Sequence, residues 1–427
     1  MTVTTDSRET GGDGDGATIV DVADLDMPTI APELERDRAA RAAEYRRLPA
    51  QGHWIAKGAI GYPILQYDDV VAILRDRRWH NAVSLIPQMQ GITDPAFTQP
   101  RRPSILAAEG DVHSRLRRLV APAFSPKSAD RLRPFMREVV NELVDAVAES
   151  GRCDFAVDIC EPYPIPIICE LLGAPKEDWQ SFSVWAEDVL RIFNGTVLDE
   201  LETIKTARRE LDAYVVELIA ERRGDPRDDL LSALIAAEEE GDRLDTEELV
   251  TMVNAVIVGG TDTTRNQLAC AIGVFVDHPD QWALLGEQPE LASQAVEEVM
   301  RYAGAIRGTG RFASEDIVYR NVRFPAGTLV FPATAAANLD ERVVDGGDPL
   351  TFDITRTPVK GRQQLTFGSG IHYCLGASLA RAELQEALAI LARRMRDLAL
   401  DGTPVWKPPT TAIFGAEHLP VRFTPGH

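Results

Sequence analysis

Helical periods dominate the order of apolar and polar residues along the chain, and short alternating runs fill only a few of the gaps. The longest helical pattern covers 245–276. Asp245 with Glu248 three residues later makes a capping box, and the run stays apolar on nearly every face until it stops before Pro279. A helix of this length with so little polar surface belongs at the centre of a protein. Further helical patterns are predicted over 30–47, 68–75, 111–120, 129–149, 161–172, 177–194, 199–223, 289–302 and 377–398. Alternation of period two marks a small hairpin in 53–66 around Gly58 and Gly61, a β-rich stretch near 311–335 and a turn-rich terminal segment near 408–425. The fold class is therefore mainly α with a small β-rich portion. Residues 1–17 are rich in Thr, Asp, Gly and Ser and are expected to be disordered, leaving 18–427 as a single domain. The span 79–108 has little periodicity and is rich in Pro and Gln. So long a loop in an ordered protein is a lid or binding loop, and Trp79, Ile86, Met89, Ile92 and Phe97 argue against a solvated insertion.

Composition narrows the function. With 44% hydrophobic residues among 427, the chain has material for a large core. Its net charge of −21 excludes general nucleic-acid binding, which depends on neutralising phosphates. Five cysteines, Cys153, Cys160, Cys169, Cys270 and Cys374, form an odd set without a C-x-x-C pair, as expected for reduced thiols in the cytoplasm. Neither a signal peptide nor an apolar run of about eighteen residues is seen, so no membrane association is expected.

Two stretches carry the chemistry. The first is Phe367-Gly368-Ser369-Gly370-Ile371-His372-Tyr373-Cys374-Leu375-Gly376, which places one cysteine on a glycine-rich loop at the start of a helix. Unpaired amides and the helix dipole favour a thiolate there. Gly368, Gly370 and Gly376 leave room for a flat ligand against the chain. The second is Gly259-Gly260-Thr261-Asp262-Thr263-Thr264, in the middle of the long apolar helix. Each glycine costs about 1 kcal/mol relative to alanine, and the acid and hydroxyls compete for backbone bonds. A defect of that size in a core helix calls for a use.

The cysteine loop follows the pattern F-G-x-G-x-H-x-C-x-G and resembles the haem-binding loop of the cytochrome P-450 family; G-G-x-D-T resembles that family's oxygen-activation motif. Glu298-x-x-Arg301 and Arg356 resemble its buried ion-pair core, and His113 with Arg117 its propionate-binding helix. The resemblance implies the fold of that family, with the long central helix over a buried haem b whose iron takes Cys374 as axial thiolate. It implies haem contacts from His113, Arg117, Gly259, Gly260, Arg311, Phe367, Gly368, His372 and Gly376. Asp262 and Thr263 would deliver protons, while Glu298, Arg301 and Arg356 would lock the loop that holds Cys374. Ala305 departs from the family, which commonly has proline there. Ile413 and Phe414 are expected to reach the pocket. The implied reaction inserts one atom of dioxygen into a small hydrophobic organic substrate, as hydroxylation or epoxidation. Oxidative coupling, desaturation, or a non-catalytic haem sensor are the alternatives. No flavin- or nicotinamide-binding domain is present, so electrons would come from a ferredoxin and its reductase, docking a monomer at Arg117, Arg118, Lys360, Arg362 and Arg381.

Overall fold

The computed structural model describes residues 19–31, 38–98, 102–193, 197–239, 244–408 and 411–426. The tail expected to be disordered lies outside these residues, apart from the chain that follows it. Twelve helices of nine residues or more build the frame among the described residues: α1 Arg38–Ala50, α2 Tyr67–Arg75, α3 Gly110–Val120, α4 Pro126–Ala148, α5 Pro164–Leu172, α6 Trp179–Leu190, α7 Val197–Gly224, α8 Leu230–Glu239, α9 Thr246–Asp277, α10 Pro279–Glu287, α11 Ala292–Ala303 and α12 Ala377–Arg394. The central helix is α9. Asp245 caps it, its side chain accepting from the Glu248 amide while Glu248 returns the bond. Its apolar faces enter one core with α4, α5, α7, α11 and α12.

Two helices escape the sequence reading. Pro279 does not merely end α9; it occupies the first turn of α10, where a missing N–H costs nothing. α8 is a short apolar helix capped by Asp229, whose side chain accepts from the Ser232 amide at 2.8 Å. At the other end, α12 stops at Arg394 rather than near 398, because Met395–Leu400 forms a strand against Pro420–Pro425. The same 420–425 strand pairs with Arg152–Asp154, which closes a three-stranded sheet.

The hairpin expected in 53–66 survives as a narrow turn, with an Ile55–Ile64 bridge and Gly58 donating to the Gly61 carbonyl at 3.0 Å. Its Tyr62–Ile64 strand does more, pairing in parallel with Leu329–Pro332 in a four-stranded sheet that also holds Arg311–Ala313 and Trp79–Asn81. Strand Trp79–Asn81 thus begins the span expected to be a long loop, and two one-turn helices, Ile86–Met89 and Pro95–Thr98, lie within it. Ile92 and Phe97 of that span pack with Val197 and Ile204 of α7.

Candidate functional site

The loop before α12 is shaped by its own backbone. Gly368 donates to the Leu365 carbonyl at 2.8 Å and Cys374 to the Phe367 carbonyl at 2.9 Å. Gly368 and Gly370 have φ of 71° and 73°, the left-handed region where glycine is needed. Their reasons differ. A side chain on Gly368 would meet nothing within 4 Å, so that face is bare. One on Gly370 would collide with the Leu74 carbonyl oxygen and lie 3.0 Å from the Arg75 Cα, because the loop is pressed onto the end of α2. Gly370 is therefore a protein–protein fit and not part of a ligand surface. Arg75 Nε donates to Ser369 Oγ at 3.0 Å, and no sequence signal pointed to it.

Cys374 is partly accessible at the start of α12, where Gly376 serves as the N-cap. Burial dominates its acidity and pushes the thiol up, although the Gly376 amide and the charges of Arg117 and Arg381 pull the other way. The amide and cations act in the direction expected of a helix N-terminus, and burial opposes them; a metal bound at the sulfur would displace the proton. Arg381 lies 4.4 Å from the centre of the buried Phe367 ring, donates to Tyr373 Oη at 3.0 Å and pairs with Glu297.

Arg117 and Arg381 act on the cysteine, and further basic groups are placed around His372 and Glu109. His113 is buried on α3, its ring 4.5 Å from that of His372, and burial beside His372 and Arg117 pushes its pKa down to about 4. Arg117, one turn on, is half-buried and has no hydrogen bond or ion pair among the described residues. Burial pulls it below its ordinary value against the pull of Cys374. Arg311 is 3% exposed and bonds only to Thr309 Oγ1 and the Gly310 carbonyl, with no carboxylate partner among the described residues. Burial pulls it down to about 10. His372 Nε2 is engaged by Glu109 at 3.0 Å. Glu109 also accepts from the Asn81 amide at 2.7 Å.

In α9, Gly259 and Gly260 separate. A side chain at Gly259 would meet nothing within 4 Å, whereas one at Gly260 would collide with the Cδ1 methyl of Ile168 and lie 2.9 Å from its Cγ1. Gly260 is required by packing against α5. Thr263 Oγ1 donates to the Gly259 carbonyl at 2.8 Å. Asp262 is 5% exposed, with Oδ1 at 2.6 Å from Arg265 Nε and 3.7 Å from Lys407 Nζ; Arg265 also reaches Glu187 of α6 at 3.0 Å. Thr264 Oγ1 donates to Glu383 Oε2 at 3.1 Å, which ties α9 to the helix that starts after Cys374. Glu383 is wholly buried, and burial pushes its carboxyl up to about 8. Arg265, Glu187, Lys407, Glu383 and Glu109 were all missed in sequence, since their partners lie on other elements.

The ion-pair core closes as a network. Arg301 meets both oxygens of Glu298 at 2.7 Å and donates to the Pro349 carbonyl at 2.7 Å, while Arg356 Nε lies 3.3 Å from Glu298. Asp353 donates its amide to the same carboxylate at 3.1 Å. Ala305 donates to Gln267 Oε1 at 2.8 Å, a bond that a proline there could not make. Ile413 bridges Ile306, and the buried Phe414 stacks on Trp406 with Arg307 over its other face. Of the five basic residues expected to form a docking patch, Arg381 and Arg362 are already paired, the latter with Asp68 at 3.1 Å. Arg117 faces Cys374. Arg118 and Lys360 remain exposed, and Arg75 joins them beside the loop.

The group implied at Cys374 is a haem, and three features fit it. No cluster of three or more His, Cys, Asp or Glu that could hold a metal occurs among the described residues, so a metal on Cys374 must bring its other ligands. Gly368 leaves a bare surface. Arg117 and Arg311 are unpaired cations suited to carboxylates.

A family model described as Cytochrome P450 matches residues 175–290 and 287–423. Luteothin monooxygenase of Streptomyces thioluteus is 36% identical over 87% of this chain and 90% of its own. Mycinamicin IV hydroxylase/epoxidase of Micromonospora griseorubida is 36% identical over 80% of this chain and 84% of its own. Among solved structures, that of CalO2 superposes with a TM-score of 0.84 at 30% identity, covering 93% of this chain and 98% of the other. No helix among the described residues is long and apolar enough to cross a membrane. With sequence, fold and relatives in agreement over most of its length, the chain belongs to the cytochrome P450 family and is a monooxygenase of that family.

Proposed function

We propose that the Cys374 thiolate would hold a haem b, and that the enzyme inserts one atom of dioxygen into a hydrophobic organic substrate by hydroxylation or epoxidation. The observation that carries this reading is a single cysteine on a bare glycine loop with Arg117 acting on it, while Arg311 is buried within reach of Glu109, and neither cation is paired with a carboxylate among the described residues. When bound, the haem supplies dioxygen activation, and thiolate ligation favours breaking the O–O bond. Arg117 and Arg311 would hold its carboxylates, with His113 beside them and His372 held by Glu109. The hydroxyl proton of Thr263 is given to the Gly259 carbonyl, so its lone pairs are what it offers: Oγ1 accepts from a proton donor and holds it in place. Asp262 is the carboxylate that receives and passes protons; its Oδ1 lies 2.6 Å from Arg265 Nε in an ion pair and has no hydrogen-bond partner among the described residues. Relatives named monooxygenase and hydroxylase/epoxidase support oxygen insertion over a sensor role. Electrons come from a ferredoxin system docking at Arg75, Arg118 and Lys360.

The test is the absorbance of the reduced protein under carbon monoxide, with Cys374→Ser beside it. A strongly red-shifted Soret band that the variant loses is expected. A haem spectrum without that shift in the unmodified protein overturns the thiolate, and with it the mechanism.

A further inference from the structure

The inward face of α7 holds one residue at odds with its neighbours. Ile204, Ala207, Leu211 and Val215 form the buried stripe, and Arg208 falls within it, four residues after Ile204 and three before Leu211. Its guanidinium lies 4.9 Å from the centre of the buried Phe97 ring, beside Ile92 and Val197. Among the described residues it has neither a hydrogen bond nor an ion pair. Asp212, one turn on, acts on it only through space, because that carboxylate is bonded to Asn254 of α9. Burial pulls Arg208 below its ordinary value.

A desolvated, unpaired guanidinium is costly. Other inward arginines avoid that cost: Arg222 pairs with Asp229, Arg301 with Glu298, and Arg265 with Asp262 and Glu187. The exceptions near Cys374, Arg117 and Arg311, are the two assigned to carboxylates of a ligand. Arg208 repeats their pattern some distance away, between α7 and the 79–108 span.

Asp212, one turn from Arg208, meets α9 at Asn254, and accessible positions of α9 run from there toward Thr263. Apart from 260 on the opposite side, the accessible positions of α9 between 251 and 265 are 251, 254, 255, 258, 259, 263 and 265. Their spacing puts them on one side of the helix, and this strip passes Asn254, which meets α7, and reaches Thr263. From position 255 to Thr263 the helix rises by about 12 Å.

We infer that Arg208 binds the carboxylate at one end of an elongated apolar substrate, which lies along this strip with its other end at Thr263. This rests on the oxygenase reading above and adds the substrate's chemical class. Arg208 is a specificity residue: it fixes which end of the substrate is held and which is presented for oxidation.

The test measures binding by calorimetry to the haem-loaded enzyme, using dodecanoate against dodecan-1-ol and biphenyl-4-carboxylate against biphenyl-4-methanol. The enzyme is expected to prefer at least one carboxylate about tenfold to a hundredfold, as for a charge-assisted bond. Arg208→Met keeps length and packing on Phe97 and should erase the preference; Arg208→Lys should keep part of it. If Arg208 only packs, both members of a pair weaken together in Arg208→Met and the proposal fails. It also fails if the enzyme prefers neither carboxylate, or if the preference survives in Arg208→Met. The carbon monoxide spectrum of each variant separates these outcomes from failure of the haem reading, which would show as a missing red shift in all of them.

Discussion

Two adjacent glycines in one helix should respond to the same substitution with opposite signs. Gly259 and Gly260 both lie inside α9, and replacing either by alanine recovers the same helix propensity, about 1 kcal/mol. At Gly259 nothing opposes this gain, since the new methyl meets no atom within 4 Å. At Gly260 the methyl collides with Ile168, which is 1% exposed and has no empty space to retreat into. Overpacking of this kind costs about 1–3 kcal/mol. Gly259→Ala should therefore be more stable than the parent by about 1 kcal/mol, and Gly260→Ala unchanged to less stable by about 2 kcal/mol. Propensity cancels in the difference between them, so the gap of about 1–3 kcal/mol is the collision alone. Urea unfolding of the three proteins reads it as a shift in midpoint at constant slope. Ile168→Val removes the Cδ1 methyl and should close most of the gap, after its own cost of about 0.5–1.5 kcal/mol. The reasoning is refuted if Gly259→Ala is no more stable than Gly260→Ala, or if the gap persists when both are combined with Ile168→Val. Activity should run against stability, because the methyl at Gly259 enters the accessible strip next to Thr263.

Glu298→Ala leaves Arg301 and Arg356 buried without a carboxylate, and should cost about 3–5 kcal/mol in thermal or urea unfolding; a loss below about 1 kcal/mol would show that the network is not needed. Glu383 gives a pH test. Its carboxyl sits at about 8 in the fold against an ordinary 4.5, so the native state keeps a proton that the unfolded chain releases. Stability from this group is full below about 4.5 and falls as pH rises through 8, by an amount on the order of a few kcal/mol. Glu383→Gln should flatten that slope in unfolding midpoints measured from pH 5 to 9, and an unchanged slope would contradict it.

Much of the frame was legible because it is local. The capping box at Asp245, the all-round apolar run of α9 and the glycine loop before α12 depend on residues close in sequence. Misreadings came where a local signal has two meanings. Pro279 both ends one helix and begins the next, and Met395–Leu400 suits a helix or a strand until Pro420–Pro425 is beside it.

By itself, the sequence determined that Cys374 stands before a helix on a glycine-rich loop, that α9 is central, and that α9 carries a costly defect. Short-range spacing settles these points. Tertiary structure decided what each group is for. Gly259 opens onto space while Gly260 fits Ile168, and Gly370 fits the Leu74 backbone rather than a ligand. His372 is bound by Glu109, 263 residues away in the chain. Burial pushes the Cys374 thiol up against the amide and charges that a helix start provides. Arg208 looks like any helical arginine until the fold turns it inward without a partner. Burial and pairing depend on what the rest of the chain brings alongside, and no local pattern records that.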